Sequence, residues 1–344
     1  MTQLVRRTSG VKGRSVKTGF ILFFGLIGIL LAMGLSLVYG TTTIKLTTVW
    51  QAIFDYHSDQ QAHQILQEIR LPRALAATLI GSYLAVSGAI MQAITKNSLA
   101  EPSLLGVSYG AAFSLVMTLA LFPSVSTFGA TAASMIGAGL SVLFVFTLAA
   151  TSKGGATPVK LALAGVAIGM FLSSLTSAIA LHFDVSKEMS FWYAGGLANT
   201  NWGDVKVLSF VGFIGLPIVF FIARTLTLLN LGEEVTQGLG IHLNLVKALS
   251  VTAVLLLTGS SVSVAGSIGF VGLVVPHISR MLVGPDYRFM LPVSAVLGSL
   301  LLVLADVGAR MMNAPFETPI GVVTAAIGVP FFLYLVRSKG SRLV

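Results

Sequence analysis

The stretch GFILFFGLIGILLAMGLSLVY, residues 19–39, contains no charged side chain. About 20 apolar residues carry a helix across a bilayer, so this run is long enough to span one. Nine further apolar segments follow, at 74–95, 104–122, 127–150, 160–183, 207–228, 246–264, 268–284, 290–308 and 318–336. The chain is therefore predicted to be an all-α, polytopic membrane protein with about ten transmembrane helices.

The predicted transmembrane domain covers residues 19–337. A basic cytoplasmic tail at 1–18 precedes it, and a second cytoplasmic tail at 338–344 follows. A signal peptide is the alternative interpretation of residues 1–40. We favour retention as an anchor, because the apolar run is long enough to span and no small-residue cleavage site stands out.

The composition excludes an ordinary soluble domain. Of the 344 residues, 55% are hydrophobic and only 10% are charged, whereas soluble domains average about 25% charged residues. The mean hydropathy is +0.91. The absence of Cys excludes disulfides, thiolate metal sites and Cys nucleophiles. The net charge of +9 does not indicate nucleic-acid binding, because the basic residues lie at the ends of apolar segments.

The Lys and Arg residues of the connections predict the orientation of the chain. With the N-terminus inside and ten spans, most of the 21 basic residues fall on the inner side. Both tails are basic, which favours two inner termini and an even number of spans. The eighth segment is the least regular, since Pro276, His277 and Arg280 interrupt it.

A weak internal echo relates the two halves of the chain. Residues 85–90 read AVSGAI and residues 263–268 read SVAGSI. The first copy closes span 2, which runs inward, and the second closes span 7, which runs outward. Corresponding spans of opposite direction are expected of an inverted repeat of spans 2–5 and 7–10. A chance match between small residues is the alternative.

No motif for catalysis, metal binding or nucleotide binding is visible. The chain has no GxxxxGK[ST] phosphate loop and no HExxH pair. No ionisable residue lies near the middle of a segment, and Asp306 falls near a segment end. Ion-coupled transporters usually carry an ionisable group at depth, so a secondary transporter is the less favoured alternative. A membrane enzyme would need a polar cluster at depth.

A short segment on the predicted inner side, between spans 6 and 7, has the pattern of a docking helix. Leu231, Val235 and Leu239 recur every fourth residue and form an apolar stripe. A short amphipathic helix of this kind docks into the groove of a partner. A helix lying flat on the bilayer is the alternative, although such helices are usually rich in Lys and Arg.

The other residues of this segment fit a short helix. Glu233 and Glu234 would occupy its first turn, where the helix dipole favours acids. Gly238 and Gly240 would end it. The two acids argue against a helix that lies on an anionic membrane surface.

Three arginines on the predicted outer side run against the positive-inside bias. Arg70 and Arg73 flank Pro72 at the mouth of span 2, and Arg310 precedes span 10. A negatively charged partner is one explanation. The alternative is that Arg70 and Arg73 only anchor a helix at the headgroups, and that Arg310 lies in a simple loop.

Six motifs, in order along residues 40–337, resemble the iron-siderophore and vitamin B12 permease family. They are RLPR (70–73), LAVSGAIMQ (84–92), NSLAEP (97–102) with LGVS (105–108), LGEE (231–234) with LG (239–240), FVGLVVPH (270–277) with Arg280, and PIGVVT (319–324). Ser98 stands where the family usually has Pro, and Tyr287 where it often has His.

The resemblance implies the permease subunit of an ATP-binding-cassette importer for an iron-siderophore-type chelate, in the bacterial cytoplasmic membrane. Such a chain is no enzyme and holds no cofactor, because ATP and Mg²⁺ bind to separate ATPase subunits. The implied partners are those ATPases, an extracellular or periplasmic substrate-binding protein, a second identical or homologous permease, and membrane lipids. The chelate stays open among hydroxamate, catecholate, citrate-type, haem and cobamide ligands.

The resemblance also implies roles for particular residues. Binding-protein docking falls to Arg70, Arg73 and Arg310. ATPase coupling falls to Gly232, Glu233, Glu234, Gly238 and Gly240. The segment 158–161 and spans 5 and 10 would line or border the pathway.

Overall fold

A computed structural model describes residues 2–40, 42–152, 158–314 and 316–340, and these residues contain no β-strand. The described α-helices are α1 (Thr2–Val38), α2 (Leu46–Phe54), α3 (Gln61–Gln64), α4 (Leu71–Thr95), α5 (Val107–Leu121), α6 (Thr127–Thr151), α7 (Pro158–His182), α8 (Ser186–Ala194), α9 (Trp202–Leu229), α10 (Glu233–Gly238), α11 (Leu243–Ala265), α12 (Val271–Val283), α13 (Tyr287–Met312) and α14 (Ile320–Gly340). The turn expected around 152–155 lies outside the described residues beyond Ser152, as do Pro315 and the end of the C-terminal tail.

Each of the ten predicted segments coincides with a helix: α1, α4, α5, α6, α7, α9, α11, α12, α13 and α14. Seven of the described helices are long and apolar enough to cross a membrane, and α5, α12 and the apolar part of α14 are shorter. The all-α, polytopic fold is therefore confirmed, whereas ten complete crossings remain a prediction. Helix α1 continues back through the basic tail to Thr2.

Two of the short helices begin inside the protein. Helices α5 and α12 have 15 and 13 residues, which is about 22 and 20 Å of helix against a hydrocarbon core of about 30 Å. Phe270, just before α12, packs on Gly328, well inside α14. The Oε1 atom of Glu101 accepts a hydrogen bond of 2.9 Å from the backbone N–H of Phe270.

The sequence did not predict this contact. It placed Glu101 on an inner connection, outside every apolar segment. In the structure this connection folds back onto the start of α12, where the Glu101 carboxylate accepts the Phe270 N–H. Hydropathy missed it because Glu101 is separated from the apolar run of α5 by a short 3₁₀ turn, Pro102–Leu105, whose path depends on tertiary packing.

The packing of the helices supports the inverted repeat more strongly than the sequence echo does. Helix α4 packs on α13, and its predicted counterpart α11 packs on α6, the counterpart of α13. In the same way, α5 contacts α6 and α7, as α12 contacts α13 and α14. The two copies of the echo are not equivalent in position, since residues 85–90 lie inside α4 while residues 263–268 run past the end of α11.

A second feature is common to both halves. Helices α5 and α12 each follow a residue with left-handed backbone, Gly106 (φ 78°) and Phe270 (φ 69°). An aromatic side chain near each start packs on a glycine of the last helix of its half. These contacts are Tyr109 on Gly169 in α7, and Phe270 on Gly328 in α14.

Helix α4 lies at the centre of the bundle, with most of its residues buried. Small residues allow its backbone to touch its neighbours, as is usual where helices pack in lipid. A Cβ atom added to Gly81 would lie 2.2 Å from the oxygen of Gly298 in α13. One added to Gly88 would lie 1.9 Å from the oxygen of Gly272 in α12.

Candidate functional site

The three outer arginines lie together where α1, α4 and α13 end or begin. A π-helical turn, Ile65–Arg70, leads directly into α4, so that Pro72 lies inside a continuous helical run and leaves one backbone carbonyl of the π-helical turn without its helical donor. Arg310 lies in the last turn of α13. We call Arg70, Arg73 and Arg310 the outer arginine cluster.

Arg73 and Arg310 share a buried carboxylate. The Nε and Nη2 atoms of Arg73 both lie 2.9 Å from Oδ1 of Asp306. The Nη2 atom of Arg310 lies 3.0 Å from Oδ2 of the same residue. The Nη1 atom of Arg73 donates to both carboxylate oxygens of Glu317, at 2.8 and 3.0 Å. Asp306 is 0% exposed, so two cations and two anions are held in the protein interior and its rim.

Arg70 and Arg310 also bind the end of α1. Arg70 donates from Nη1 to the carbonyl oxygens of Leu37 and Val38, at 2.6 and 3.0 Å, and from Nη2 to that of Thr42. Arg310 donates from Nη1 to the carbonyl oxygen of Ser36 at 3.2 Å. The last carbonyls of a helix have no partner within it, and cations suit the negative end of its dipole. The cluster therefore fastens α1 to α4 and α13.

This geometry differs from the expectation of arginines available on the outer surface. Arg70, Arg73 and Arg310 are 5%, 4% and 3% exposed, and their described bonds turn inward. The sequence missed Asp306 and Glu317 as partners of Arg73, because these acids lie more than 200 residues from Arg73 along the chain. The available signal was the spacing of Asp306 and Arg310, which are four residues apart and so share one face of a helix.

An outer cavity of about 580 Å³ opens beside the cluster. Its charged residues are Arg73, Lys187, Glu188 and Glu317, two of each sign. The rest of the wall comes from Leu115 of α5, from α8 and the connection 195–199 that follows it, from the end of α11 and from the start of α14. The connections assigned to the outer side, after spans 5, 7 and 9, thus meet at one end of the molecule.

The inner segment forms the short helix that its sequence predicts. Helix α10 has Glu233 and Glu234 in its first turn and ends at Gly238. Gly232 (φ 117°) and Gly240 (φ 79°) flank it in backbone conformations that favour glycine. The Oγ1 atom of buried Thr236 donates to the carbonyl oxygen of Gly232 at 2.7 Å and fixes the turn.

The apolar stripe of this segment is exposed. Leu231, Val235 and Leu239 are 64%, 51% and 60% exposed. Glu233 pairs with Lys247 of α11 at 3.0 Å, and both side chains are about 40% exposed. We call Leu231, Val235 and Leu239 the α10 stripe.

An inner groove of about 480 Å³ lies next to the stripe. It is lined by the inner ends of helices and by the connections between them, namely by Gln92, Lys96, Ser98, Leu229, Asn230, Leu231, Gly232, Arg280, Pro285 and Tyr287. Asp286 adjoins it and caps α13. Burial alone would raise the pKa of the Asp286 carboxyl, but hydrogen bonds and charge from Arg288 outweigh burial and lower that pKa. The groove therefore has a basic wall, Lys96 and Arg280, beside an exposed apolar stripe.

No set of three or more His, Cys, Asp or Glu side chains among the described residues is arranged to hold a metal ion.

Comparison with known proteins agrees with this picture. The model of the FecCD transport family matches residues 24–338. The chain is 50% identical to the iron(3+)-hydroxamate import system permease protein FhuB of Bacillus subtilis (strain 168), over 93% of this chain and 83% of that protein. It is 38% identical to the Fe(3+) dicitrate transport system permease protein FecC of Escherichia coli (strain K12), over 88% of this chain and 92% of that protein.

A solved structure has the same fold over almost its full length. It shows an inward-facing conformation of a metal-chelate type ABC transporter, with a TM-score of 0.81 and 28% identity. The match covers 93% of this chain and 99% of that one.

Proposed function

The chain belongs to the FecCD transport family and is a permease subunit of an iron-chelate ABC importer, and we propose that its cargo is a ferric hydroxamate. The observation that carries this choice is the 50% identity to the hydroxamate permease. The iron-uptake permease FeuB and the Fe(3+)-citrate permease YfmD of the same Bacillus subtilis strain are 42% and 40% identical.

The charge of the outer cavity supports the same choice. Three monoanionic hydroxamates neutralise Fe³⁺, whereas three dianionic catecholates leave a complex of charge −3. The cavity presents two cations and two anions, so its side chains carry no net positive charge to attract a multiply charged anion. A neutral chelate suits such a wall better than a trianion does.

Radioiron uptake in the native host tests this cargo. Deleting the gene and restoring it in trans should abolish and recover uptake from ferrichrome, a trihydroxamate, while uptake from ferric citrate and ferric enterobactin stays unchanged. Loss of citrate or enterobactin uptake with intact ferrichrome uptake would overturn the hydroxamate assignment and leave the transport function standing.

The α10 stripe and the inner groove are the proposed dock for the ATPase subunits, which bind ATP and Mg²⁺. An exposed apolar row on a short helix suits insertion into a partner groove. Lys96 and Arg280 provide basic groups beside it that suit acids on the partner. Gly232, Glu233, Glu234 and Gly240 carry the proposed coupling role, whereas Gly238 only ends the helix, in backbone that other residues can also adopt.

The substrate-binding protein is proposed to dock on the outer face, through Arg73. Because Glu317 already occupies Nη1 of Arg73, an acid of the binding protein has to replace it. Arg70 and Arg310 support the contact by holding α4 and α13 against α1. Docking of the purified binding protein to the importer in nanodiscs should therefore strengthen in Glu317→Gln and weaken in Arg73→Gln. Unchanged affinity in both variants, at low and high salt, would exclude a direct role for Arg73.

A second permease, either a copy of this chain or a homologue, is proposed to complete the pathway. Co-expression of tagged and untagged copies decides between them. Recovery of the untagged copy with the tagged one indicates a homodimer, and recovery of a different permease indicates a heterodimer.

A further inference from the structure

Helix α12 contains a proline whose freed backbone group is bound by another helix. Pro276 has no N–H, so the carbonyl oxygen of Gly272, four residues earlier, loses its bond within the helix. The Nε2 atom of Gln92, in α4, lies 3.3 Å from that oxygen and 3.4 Å from the oxygen of Leu273. Gln92 is buried, and the contact of Gly88 with Gly272 brings the two helices close enough for it to reach.

The residue that precedes α12, two positions before Gly272, is held in a similar way. Phe270 precedes the helix with left-handed backbone, which is uncommon for a bulky residue. The carboxylate of Glu101 accepts its N–H at 2.9 Å. The first N–H groups of a helix lack partners within it, and a carboxylate suits the positive end of the dipole. Side chains from the α4–α5 region thus hold both Gly272 and Phe270.

These contacts connect the inner groove with the wall of the outer cavity. The Nη2 atom of Arg280 lies 3.3 Å from Oε1 of Gln92, and both residues line the inner groove beside Leu231. At the other end, Phe270 packs on Gly328 of α14, and Ile320, the first residue of α14, lines the outer cavity.

We propose that α12 transmits movement between the inner groove and α14, with Gln92 and Glu101 as its positioning residues. Because Pro276 frees the Gly272 carbonyl, α12 is tied at that point to α4 instead of to itself. A partner that displaces Arg280 moves Gln92, and the resulting shift of α12 moves Phe270 against α14. The inference rests on the proposed ATPase docking in the inner groove.

A double-mutant cycle tests the relation between Gln92 and Pro276. Gln92→Leu leaves the Gly272 carbonyl buried without its donor and should lower the ratio of folded to unfolded protein roughly 5–30-fold. Pro276→Ala restores an N–H at position 276, so Gln92→Leu should cost much less in that background. Thermal unfolding of the four proteins in nanodiscs measures this, with Gln51→Leu on the exposed face of α2 as control. An equal cost of Gln92→Leu in both backgrounds, or equal failure of both to fold, would contradict the proposal.

Transport per ATP hydrolysed tests the positioning role itself. Glu101→Gln keeps an oxygen acceptor for the Phe270 N–H and should keep the wild-type ratio of transport to hydrolysis. Glu101→Ala removes the acceptor and should lose most transport while ATP hydrolysis continues. Gln92→Glu keeps the acceptor for Arg280 but loses the donor to Gly272, so it should also uncouple transport from hydrolysis.

Capture of the ATPase is measured on every sample, because this separates a failure of the docking proposal from a failure of the role proposed for α12. If the wild-type chain captures no ATPase through the inner groove, the docking proposal fails. If capture is normal and Glu101→Ala and Gln92→Glu transport as much per ATP as wild type, the role of α12 is wrong.

Discussion

The outer arginine cluster and the α10 stripe occupy opposite ends of the molecule, and both have the sequence pattern of a docking surface. The structure treats them differently. Arg73 and Arg310 are buried around the fully enclosed Asp306, whereas Leu231, Val235 and Leu239 stay exposed. A basic residue on the outer side, against the positive-inside bias, therefore indicates an interaction. It does not show whether the partner is another protein or a distant part of the same chain.

The energetics of the two regions differ for the same reason. A buried ion pair costs desolvation energy when it forms, but removing one partner leaves the other charge without compensation. An exposed apolar row contributes little to folding and becomes valuable only when a partner covers it. Substitutions in the cluster should therefore affect stability, and substitutions in the stripe should affect assembly.

The largest effect is expected for Asp306→Asn. It leaves Arg73 and Arg310 buried with one carboxylate fewer, and we expect a loss of about 3–5 kcal/mol in stability. Thermal unfolding in nanodiscs measures the loss, and Glu234→Gln on the exposed face of α10 is the control. A melting midpoint shared by Asp306→Asn and the control would show that the cluster does not hold the fold.

The next largest effect is expected on ATPase binding, when the α10 stripe is made polar. Replacing Leu231, Val235 and Leu239 by Ser should lose at least about 2 kcal/mol of binding energy if the stripe is the centre of the interface. Capture of the ATPase by the tagged permease measures it. Phe316→Ser removes a side chain that is 72% exposed near the outer end, and it should leave capture intact. Equal capture by both variants would contradict the docking role.

Substitutions of the glycines around α10 test whether its backbone conformation matters for coupling. Gly232→Ala and Gly240→Ala force a side chain into backbone with positive φ, at roughly 1–3 kcal/mol each. A Cβ atom would meet nothing within 4 Å at Gly232, Gly238 or Gly240, so backbone strain is the only difference between them. Gly238→Ala is therefore the matched control and should transport normally, while the other two should transport less per ATP. If all three variants transport equally well per ATP, the backbone conformation of Gly232 and Gly240 has no role in coupling.

The sequence predicted the local features of both regions and missed the distant ones. The ten apolar segments, the first turn of α10 and its end at Gly238 depend on residues close in sequence, and the structure has them. The contact of Arg73 with Asp306 and Glu317 joins residues that only folding brings together. The contact of Glu101 with Phe270 was missed for the same reason, since it depends on how the connection folds.

The smallest effect is expected for Glu233→Gln. The pair with Lys247 is about 40% exposed on both sides, and exposed pairs contribute only about 0.2–1 kcal/mol. The melting midpoint should fall slightly at low salt and match wild type at high salt, because salt screens exposed charges. A fall in melting midpoint as large as that of Asp306→Asn would mean that the Glu233–Lys247 pair also stabilises the fold.

The contrast between the two regions is tested most directly by measuring the melting midpoint and ATPase capture on the same nanodisc samples of Asp306→Asn and Val235→Ser. We predict that Asp306→Asn melts far below wild type, while its folded fraction captures the ATPase. We predict that Val235→Ser melts with wild type and captures less. The reverse pattern would be a stable Asp306→Asn and a destabilised Val235→Ser that still captures the ATPase. It would contradict the assignment of the outer arginine cluster to folding and of the α10 stripe to docking.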